Sequence, residues 1–174
     1  MGRVTKMNEQ RAISEDAVVD VPVSLLTFTL GEHRYALLAE HVREVVRAAS
    51  IARLPKAPSI VEGVINVRGM LVPVLDVRQR FGLPARPLDP SQHFIVARAG
   101  GRTVALRVDR AHDLVSVEAN VVEAAEPVVP GAEHVAGIAR LAEGLLVIHD
   151  LEGFLALDEA ARLEAALVDR KGAS

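Results

Sequence analysis

The pattern of apolar and polar positions is clearest around residues 61 to 81, where two apolar runs flank a turn. Val61–Val67 is the first run, Met70–Leu75 is the second, and the dipeptide Arg68-Gly69 separates them. Apolar, β-branched runs on either side of a Gly-containing turn are typical of a hairpin. The sequence therefore predicts a β-hairpin with Arg68 at its tip.

A short helix is predicted directly after this hairpin. Asp76 stands where a helix N-cap belongs, Gln79 follows as in a capping box, and Gly82 stands where the helix should stop. Pro73 has no backbone N–H to donate, so the second strand should lie at a sheet edge or contain a bulge near this residue.

The same pattern returns later in the chain at constant spacing. Segment 137–151 matches segment 63–77 at its glycine, apolar and Asp positions without a gap, and GGRTVAL at 100–106 resembles GEHRYAL at 31–37. Two such units are too few for a solenoid, in which about three or more repeats are expected. The sequence therefore favours two similar small barrels that pack together.

Apolar runs and alternation predict further strands in both units. Their expected bounds are 25–30, 33–38, 93–97, 102–109, 113–118, 134–141 and 145–149. Segment 39–46 fits a helical stripe and a strand equally well, so its structure stays open. The Pro-rich segment 83–90 predicts a linker, and segment 120–131 predicts a long connection.

The two ends of the chain differ from the middle. Residues 1–20 are polar with interspersed charges, which predicts a disordered N-terminal extension. Near the other end, Asp158 is the expected N-cap of a final helix. The modest apolar stripe of that helix would consist of Ala161, Leu163, Ala166 and Leu167.

The composition narrows the class of protein. The chain has 174 residues, half of them apolar but only 3% aromatic, and such a core favours strands with some helix. The net charge of −3 gives no electrostatic reason to bind nucleic acid. There is no Cys, no apolar run long enough to cross a membrane, and no signal-peptide core within residues 1–20. We therefore expect a cytoplasmic protein without direct membrane insertion.

The sequence offers no pattern of reactive side chains. No two histidines have the spacing of a helical metal site, no serine has the surround of a nucleophile elbow, and no phosphate-binding glycine loop is present. The histidines are His33, His41, His93, His112, His134 and His149. We therefore expect no catalytic residue, no metal site and no cofactor.

Two charged residues lie next to apolar ones and allow two interpretations. Arg68 is either a solvated cation at the hairpin tip or a contact residue, because arginine beside an apolar surface suits the centre of an interface. Glu44, flanked by Val42 and Val45, is either the rim of an interface or ordinary surface.

Several segments resemble the CheW family of chemotaxis coupling proteins. They include FTLGEHRYAL, GVINVRGMLVPVLDVR and HVAGIARLAEGLLVIHDLEGFL, and the resemblance spans about residues 22–156. It implies a mainly β fold of two intertwined five-stranded SH3-like β-barrels, with short helices and a C-terminal helix. The turn at Glu143-Gly144 departs from the Arg-Gly of the first hairpin, so only the first barrel supplies that arginine.

The resemblance also implies a function and a set of contact residues. The family is a non-catalytic scaffold that joins the cytoplasmic tips of chemoreceptors to the regulatory domain of the histidine kinase CheA, with further contacts to other CheW-like domains in array rings. Such a protein would be cytoplasmic and recruited to receptor arrays at the membrane. The implied kinase contacts are Val42, Glu44 and Gly63, and the implied receptor contacts are Arg68, Val104, Val108 and Val115.

These observations divide the chain into three expected parts. Residues 1–20 are the extension, 21–156 the CheW-like domain, and 157–174 the C-terminal helix and tail. Within the domain, the first barrel is expected mainly at 31–83, and the second at 91–150 together with the N-terminal strand. The alternative of a different class is a regulatory β-barrel module that binds a small ligand or nucleic acid.

Overall fold

The structure is a computed structural model that describes residues 21–124 and 135–172. The predicted N-terminal extension at 1–20 lies outside these residues. In chain order the strands are β1 (Val23–Leu30), β2 (His33–Leu38), β3 (Val42–Arg47), β4 (Val61–Val67), β5 (Met70–Asp76), β6 (His93–Ala99), β7 (Arg102–Val108), β8 (Arg110–Val117), β9 (Val122–Ala124), β10 (Val135–Leu141) and β11 (Gly144–His149). The α-helices are α1 (Val77–Arg80) and α2 (Leu157–Gly172), and 3-10 turns occur at Ala39–His41 and Ala119–Val121.

The strands form two sheets, which confirms the mainly β, two-barrel fold class. One sheet has six strands in the order β8-β1-β2-β11-β10-β9, and the other has five in the order β3-β6-β7-β5-β4. Most neighbouring strands are antiparallel, but β2 pairs in parallel with β11 and β5 pairs in parallel with β7. β9, an edge strand of the six-stranded sheet, was not predicted; it lies within the expected connection 120–131, of which residues 125–131 lie outside the described residues.

The sequence repeat appears in the structure as an exchange of strands. The hairpin β1–β2 corresponds to β6–β7, β3 corresponds to β8, and β4–β5 corresponds to β10–β11. Each sheet combines the first hairpin of one repeat with the later strands of the other. The expected barrels, mainly 31–83 and mainly 91–150 with the N-terminal strand, agree with these sheets in β1, β3–β5 and β8–β11 and differ from them in β2, β6 and β7. The parallel pairs that join the repeats are long-range contacts that adjacency in sequence does not reveal.

One large apolar core is shared by the two sheets. β1 contributes Leu26, Phe28 and Leu30 to it, as their alternation predicted, whereas Leu25 packs in a smaller core of the six-stranded sheet. The five-stranded sheet and α2 complete the shared core with residues such as Leu75, Ile95, Leu106, Leu163 and Ala166. Separating the sheets would expose these side chains, each of which contributes about 1.5–3 kcal/mol when it is large and fully buried.

The central hairpin and its helix form largely as predicted. Asp76 caps α1 by accepting a hydrogen bond from the backbone N–H of Gln79 at 3.3 Å. The reciprocal half of the capping box does not form, because the Asp76 N–H donates to Ile60 and the Gln79 side chain donates to the Ser59 hydroxyl. Gly82, with φ of 68°, directly follows the C-terminal end of the helix.

Pro73 occupies a position that needs no donor. β5 lies inside its sheet, between β7 and β4, but its pairing with β7 begins only at Val74. Pro73 is therefore paired on one side alone, opposite Val64. Pro73 thus has the environment of an edge residue, as predicted, although β5 as a whole is an inner strand. The bulge that was the alternative lies elsewhere in the hairpin, between Val61 and Gly63 of β4.

The final helix begins differently from its prediction. It starts at Leu157, so Asp158 lies inside the first turn and is not its N-cap. Glu159 instead reaches back and accepts a hydrogen bond from the backbone N–H of Ala156 at 2.9 Å. Of the expected apolar stripe, Leu163 and Ala166 are buried, Leu167 is half-buried, and Ala161 is exposed because it faces away from the sheets. The open segment 39–46 forms a 3-10 turn followed by β3.

An ion cluster holds the two sheets together where β7 passes into β8. Asp109, at this junction, pairs with Arg78 of α1 and with Arg86 of the linker, and its Oδ2 accepts the backbone N–H of Gly31 at 2.6 Å. Burial by itself raises the pKa of the Asp109 carboxyl, but the Gly31 N–H and the two guanidinium groups outweigh it and the pKa is lowered. The ionised carboxylate therefore stabilises the fold.

Gly63 lies where another part of the chain crosses β4. Ala52 exchanges two backbone hydrogen bonds with Val64, at 2.8 and 2.9 Å. A Cβ at position 63 would lie 2.2 Å from the carbonyl oxygen of Ala52. Gly137 has the corresponding place in the second repeat, where a Cβ would lie 2.9 Å from the Glu123 carbonyl oxygen. Both repeats therefore need a glycine to admit a crossing backbone.

We predict that Asp109→Asn lowers the free energy of unfolding by on the order of 3 kcal/mol at neutral pH, because it leaves Arg78 largely buried without its charge partner. In the native protein, the stabilisation by Asp109 is present above about pH 4 and is lost as the pH falls through the lowered pKa of the folded state. Urea unfolding at a series of pH values should show a smaller acid dependence for Asp109→Asn. Asp113→Asn, which changes an exposed carboxylate, is the control, and equal effects of the two variants would contradict the assignment.

We predict that Gly63→Ala lowers the free energy of unfolding by at least about 2 kcal/mol, since overpacking against a backbone atom cannot be relieved by a side-chain rotation. Gly101→Ala is the matched control: it has φ of 81° and open space around its Cβ, so it should cost only about 1 kcal/mol of backbone strain. Chemical denaturation measures both. A cost for Gly63→Ala no larger than that of the control would show that the close approach of Ala52 is unimportant.

Candidate functional site

The tip of the β4–β5 hairpin holds Arg68 in a fixed position. Arg68 has φ of 50° and Gly69 has φ of 85°, and positive values at both central residues are the pattern of a type I′ turn. The Asn66 side chain accepts the Gly69 N–H at 2.9 Å and supports this turn. A left-handed conformation costs a non-glycine residue about 1 kcal/mol or more, and the type I′ turn imposes this conformation on Arg68.

Arg68 forms an ion pair with Glu44 of β3. Its Nε lies 3.1 Å from Oε1 and 3.3 Å from Oε2 of Glu44, and its Nη2 donates to Oε2 at 3.3 Å. The hydrogen bond and the charge of Glu44 raise the pKa of the Arg68 guanidinium. The Arg68 side chain is nevertheless 83% exposed, and exposed pairs contribute little to folding. The pair is therefore a feature of the surface more than of the core.

This ion pair crosses the mouth of a groove of about 670 Å³. β3 and β4 are the two edge strands of the five-stranded sheet, and both line the groove. Its lining residues are Glu44, Val46, Arg47, Ala49, Ser50, Ile65, Asn66, Val67, Arg68 and Phe94. Ile65 and Phe94 are buried, whereas Arg68 and Arg47 are exposed, so the groove has an apolar floor and a charged rim.

The structure separates the residues expected to contact a kinase. Val42 and Glu44 lie on β3, where Val42 is half-buried against the shared core and Glu44 points into the groove. Gly63 is buried under the segment that contains Ala52. Its place in the structure is to admit that segment, and it offers no surface of its own.

The residues expected to contact a receptor lie in three different environments. Arg68 is on the surface, and Val115 of β8 is half-buried against the core of the six-stranded sheet. Val104 and Val108 are 0% and 1% exposed, within the shared core. In this structure neither side chain is accessible for direct contact with a receptor, because β7 is an inner strand that is covered on both faces.

Sequence patterns missed several exposed apolar side chains near these edges. Val45 on β3 is 39% exposed, and Met70 and Leu71 beside the hairpin tip are 48% and 45% exposed. The corresponding residues of the other repeat, Leu114 and Leu145, are exposed by 65% and 63%. The internal sequence repeat could have identified these residues. Apolar residues that are exposed at equivalent places of two repeats indicate equivalent surfaces.

Among the histidines within residues 21–124 and 135–172, His149 is the most buried and packs against aromatic rings. The His149 ring lies 4.0 Å from the Phe81 ring in a stacked arrangement and 5.1 Å from the Tyr35 ring. Burial raises the pKa of the Tyr35 hydroxyl.

Within residues 21–124 and 135–172, no group of three or more His, Asp or Glu side chains has the geometry to hold a metal ion. None of the helices described there is long and apolar enough to span a membrane.

Comparison with known proteins places the chain in a family. A family model described as the CheW-like domain matches residues 24–159. The chemotaxis protein CheW of Klebsiella aerogenes is 30% identical over 154 residues, which cover 87% of this chain and 93% of that protein. Protein FrzA of Myxococcus xanthus is 29% identical over 141 residues, which cover 79% of this chain and 86% of that protein.

A solved structure agrees with this comparison. The scaffolding protein TtCheW from Thermoanaerobacter tengcongensis superposes with a TM-score of 0.74 at 31% identity, covering 80% of this chain and 96% of that one. The two chains therefore share a fold over most of their length. The family model, the related sequences and the shared fold together show that this chain belongs to the family of CheW-like domain proteins.

Proposed function

We propose that the protein is a non-catalytic adaptor that couples chemoreceptors to a CheA-type histidine kinase in a chemosensory array. The observation that carries this proposal is the groove between β3 and β4 with the Glu44–Arg68 pair across its mouth, on a chain of the CheW-like family. Support comes from its relatives, which are named chemotaxis proteins or, in the solved structure, a scaffolding protein. The protein would act in the cytoplasm and reach the membrane through the receptors.

The kinase contact is proposed at β3 and the groove, with the kinase's CheW-like regulatory domain as the partner. An edge strand and an apolar groove are surfaces that another small barrel or a helix can bind. Glu44 is the polar contact, Val42 supports its strand from beneath, and Gly63 keeps the neighbouring segment in place. Contacts with other CheW-like domains in array rings would use similar edges.

The receptor contact is proposed at Arg68 and, on the other sheet, at Val115 beside the exposed Leu114. Because Arg68 and Glu44 are paired with each other, a partner that binds one of them changes the environment of the other. Kinase and receptor binding would therefore be coupled through this ion pair. Each interface would be modest in area and would gain strength from repetition in the array.

A second candidate function is the binding of a small ligand in the same groove. Its volume of about 670 Å³ lies in the range of small-molecule sites, and its floor is apolar. A thermal-shift screen separates the two functions: an adaptor should show no ligand that raises its unfolding temperature, whereas its affinity for a kinase regulatory domain should be measurable.

The test of the adaptor function is a titration of the purified chain with the regulatory domain of a CheA-type kinase from the same genome. We expect binding in the range of tens of micromolar or tighter, as for modest interfaces that act in arrays. Absence of binding to every such kinase at that concentration would count heavily against the proposal. Co-sedimentation with receptor-containing membranes, with and without the kinase, tests the receptor contact.

We predict that Arg68→Gln weakens binding of the kinase domain or assembly of the array at least about fivefold, and that Glu44→Gln has the same effect. The loss in the double variant should differ from the sum of the two single losses in free energy, because the two residues act as a pair. The thermal unfolding midpoint should not change, since the pair is exposed. Arg34→Gln is the matched control, because Arg34 forms an ion pair with Glu143 at 3.0 Å on the other sheet. A fall of several degrees in the thermal unfolding midpoint of Arg68→Gln would show that Arg68 stabilises the fold, and its loss of binding would then not identify a contact residue.

A further inference from the structure

Positively charged side chains gather where the edges of the two sheets meet. Arg47, at the end of β3, pairs with His93, at the start of β6. The Nδ1 atom of His93 accepts the backbone N–H of Ala111 at 3.2 Å, which brings the start of β8 to the same place. Arg110 and His112 flank Ala111. We call Arg47, His93, Arg110 and His112 the seam cluster.

The seam cluster forms no ion pair among the residues that the structure describes. No carboxylate in 21–124 or 135–172 lies within ion-pair distance of Arg47, Arg110 or His112. Asp109, the neighbour of Arg110, is already engaged by Arg78 and Arg86. Many other arginines of the chain, in contrast, have a carboxylate partner.

The electrostatics of His93 agree with this placement. Burial lowers the pKa of the His93 imidazole, and the positive charges of Arg47, Arg110 and His112 lower it further. Arg47, Arg110 and His112 are exposed, so the two guanidinium groups and the imidazole are accessible to a partner. His112 is also oriented by a contact of 3.3 Å between its Nε2 atom and the Thr29 hydroxyl.

We propose that the seam cluster is a docking surface for an extended, acidic segment of a partner protein. Charge complementarity carries the proposal: two exposed arginines, Arg47 from one sheet and Arg110 from the other, have no ion-pair partner among the described residues, and His112 lies beside them, on a chain whose net charge is −3. In an extended segment, alternate side chains on one face repeat at about 7 Å, so carboxylates at every second position can reach more than one of these cations. Nucleic acid is disfavoured, because no Phe, Tyr or Trp belongs to the cluster on which a base could stack.

This surface goes beyond the adaptor function proposed above. Arg47 lines the end of the groove, but Arg110 and His112 lie outside it. An acidic segment bound here would cross from the five-stranded to the six-stranded sheet. The binding energy would then depend on the seam cluster and not on the Glu44–Arg68 pair, so the two proposals can fail separately.

The test uses the full chain and a short fluorescein-labelled peptide of alternating glutamate and alanine, followed by fluorescence anisotropy at low salt. We expect the peptide to bind, its affinity to fall as salt is added, and a glutamine version to bind much more weakly. The double variant Arg47→Glu/Arg110→Glu should bind at least about fivefold more weakly, since two attractive ion pairs are lost and the reversed charges repel the peptide. Arg98→Glu, an exposed arginine outside the cluster, is the matched control and should bind as the native chain does.

Three results would overturn the proposal. The first is that the native chain does not bind the peptide. The second is that Arg98→Glu loses as much peptide affinity as the double variant. The third is that a single-stranded oligonucleotide binds more tightly than the peptide and displaces it. If Arg47→Glu/Arg110→Glu does not fold, as thermal unfolding would show, Arg47→Gln/Arg110→Gln takes its place, with an expected loss of at least about twofold. Arg68→Gln should leave peptide binding unchanged, which separates this surface from the groove.

Discussion

The exchange of strands between the two repeats is the constraint on which the rest of the structure depends. A sheet of five or six strands buries one face only if something covers it, and here each sheet covers the other through the shared core. The parallel pairs β2–β11 and β5–β7 join the repeats within each sheet. Neither repeat can therefore fold alone into the sheet that its sequence suggests, and the chain forms a single unit.

The exchange also explains where charge and glycine are needed. The chain passes between the sheets after β2 and after β7, and at the second passage Asp109 gathers Arg78, Arg86 and the Gly31 N–H around one carboxylate. A largely buried charge is tolerated only when it is paired and hydrogen-bonded, and Asp109 meets both conditions. Gly63 admits a crossing backbone for a related reason: a compact pair of sheets brings segments closer than a side chain allows.

Features that depend on neighbouring residues were visible in the sequence, whereas those that depend on distant ones were not. The Arg68-Gly69 turn and the Asp76 cap follow from local chemistry, and both are present. The burial of Val104 and Val108 depends on which strands cover β7, which alternation along one strand does not show. β9 was missed because three residues give almost no pattern. Even the resemblance to a family, which indicated Glu44 and Arg68 separately, did not reveal that they bind each other.

The placement of the ion pairs follows a physical logic that bears on binding. Arg78, Arg80 and Arg107 are largely buried and fixed by carboxylates, so their pairs hold elements together and are costly to break. In the Arg68–Glu44 pair the arginine side chain is exposed. Replacing Glu44 as its partner with a carboxylate from another protein therefore costs the fold little. A coupling protein needs such a division, since its surface must exchange partners while its core stays unchanged. The turn at Arg68 fits the same role, because it fixes the point at which the side chain leaves the hairpin, while the exposed guanidinium can move from Glu44 to a new partner.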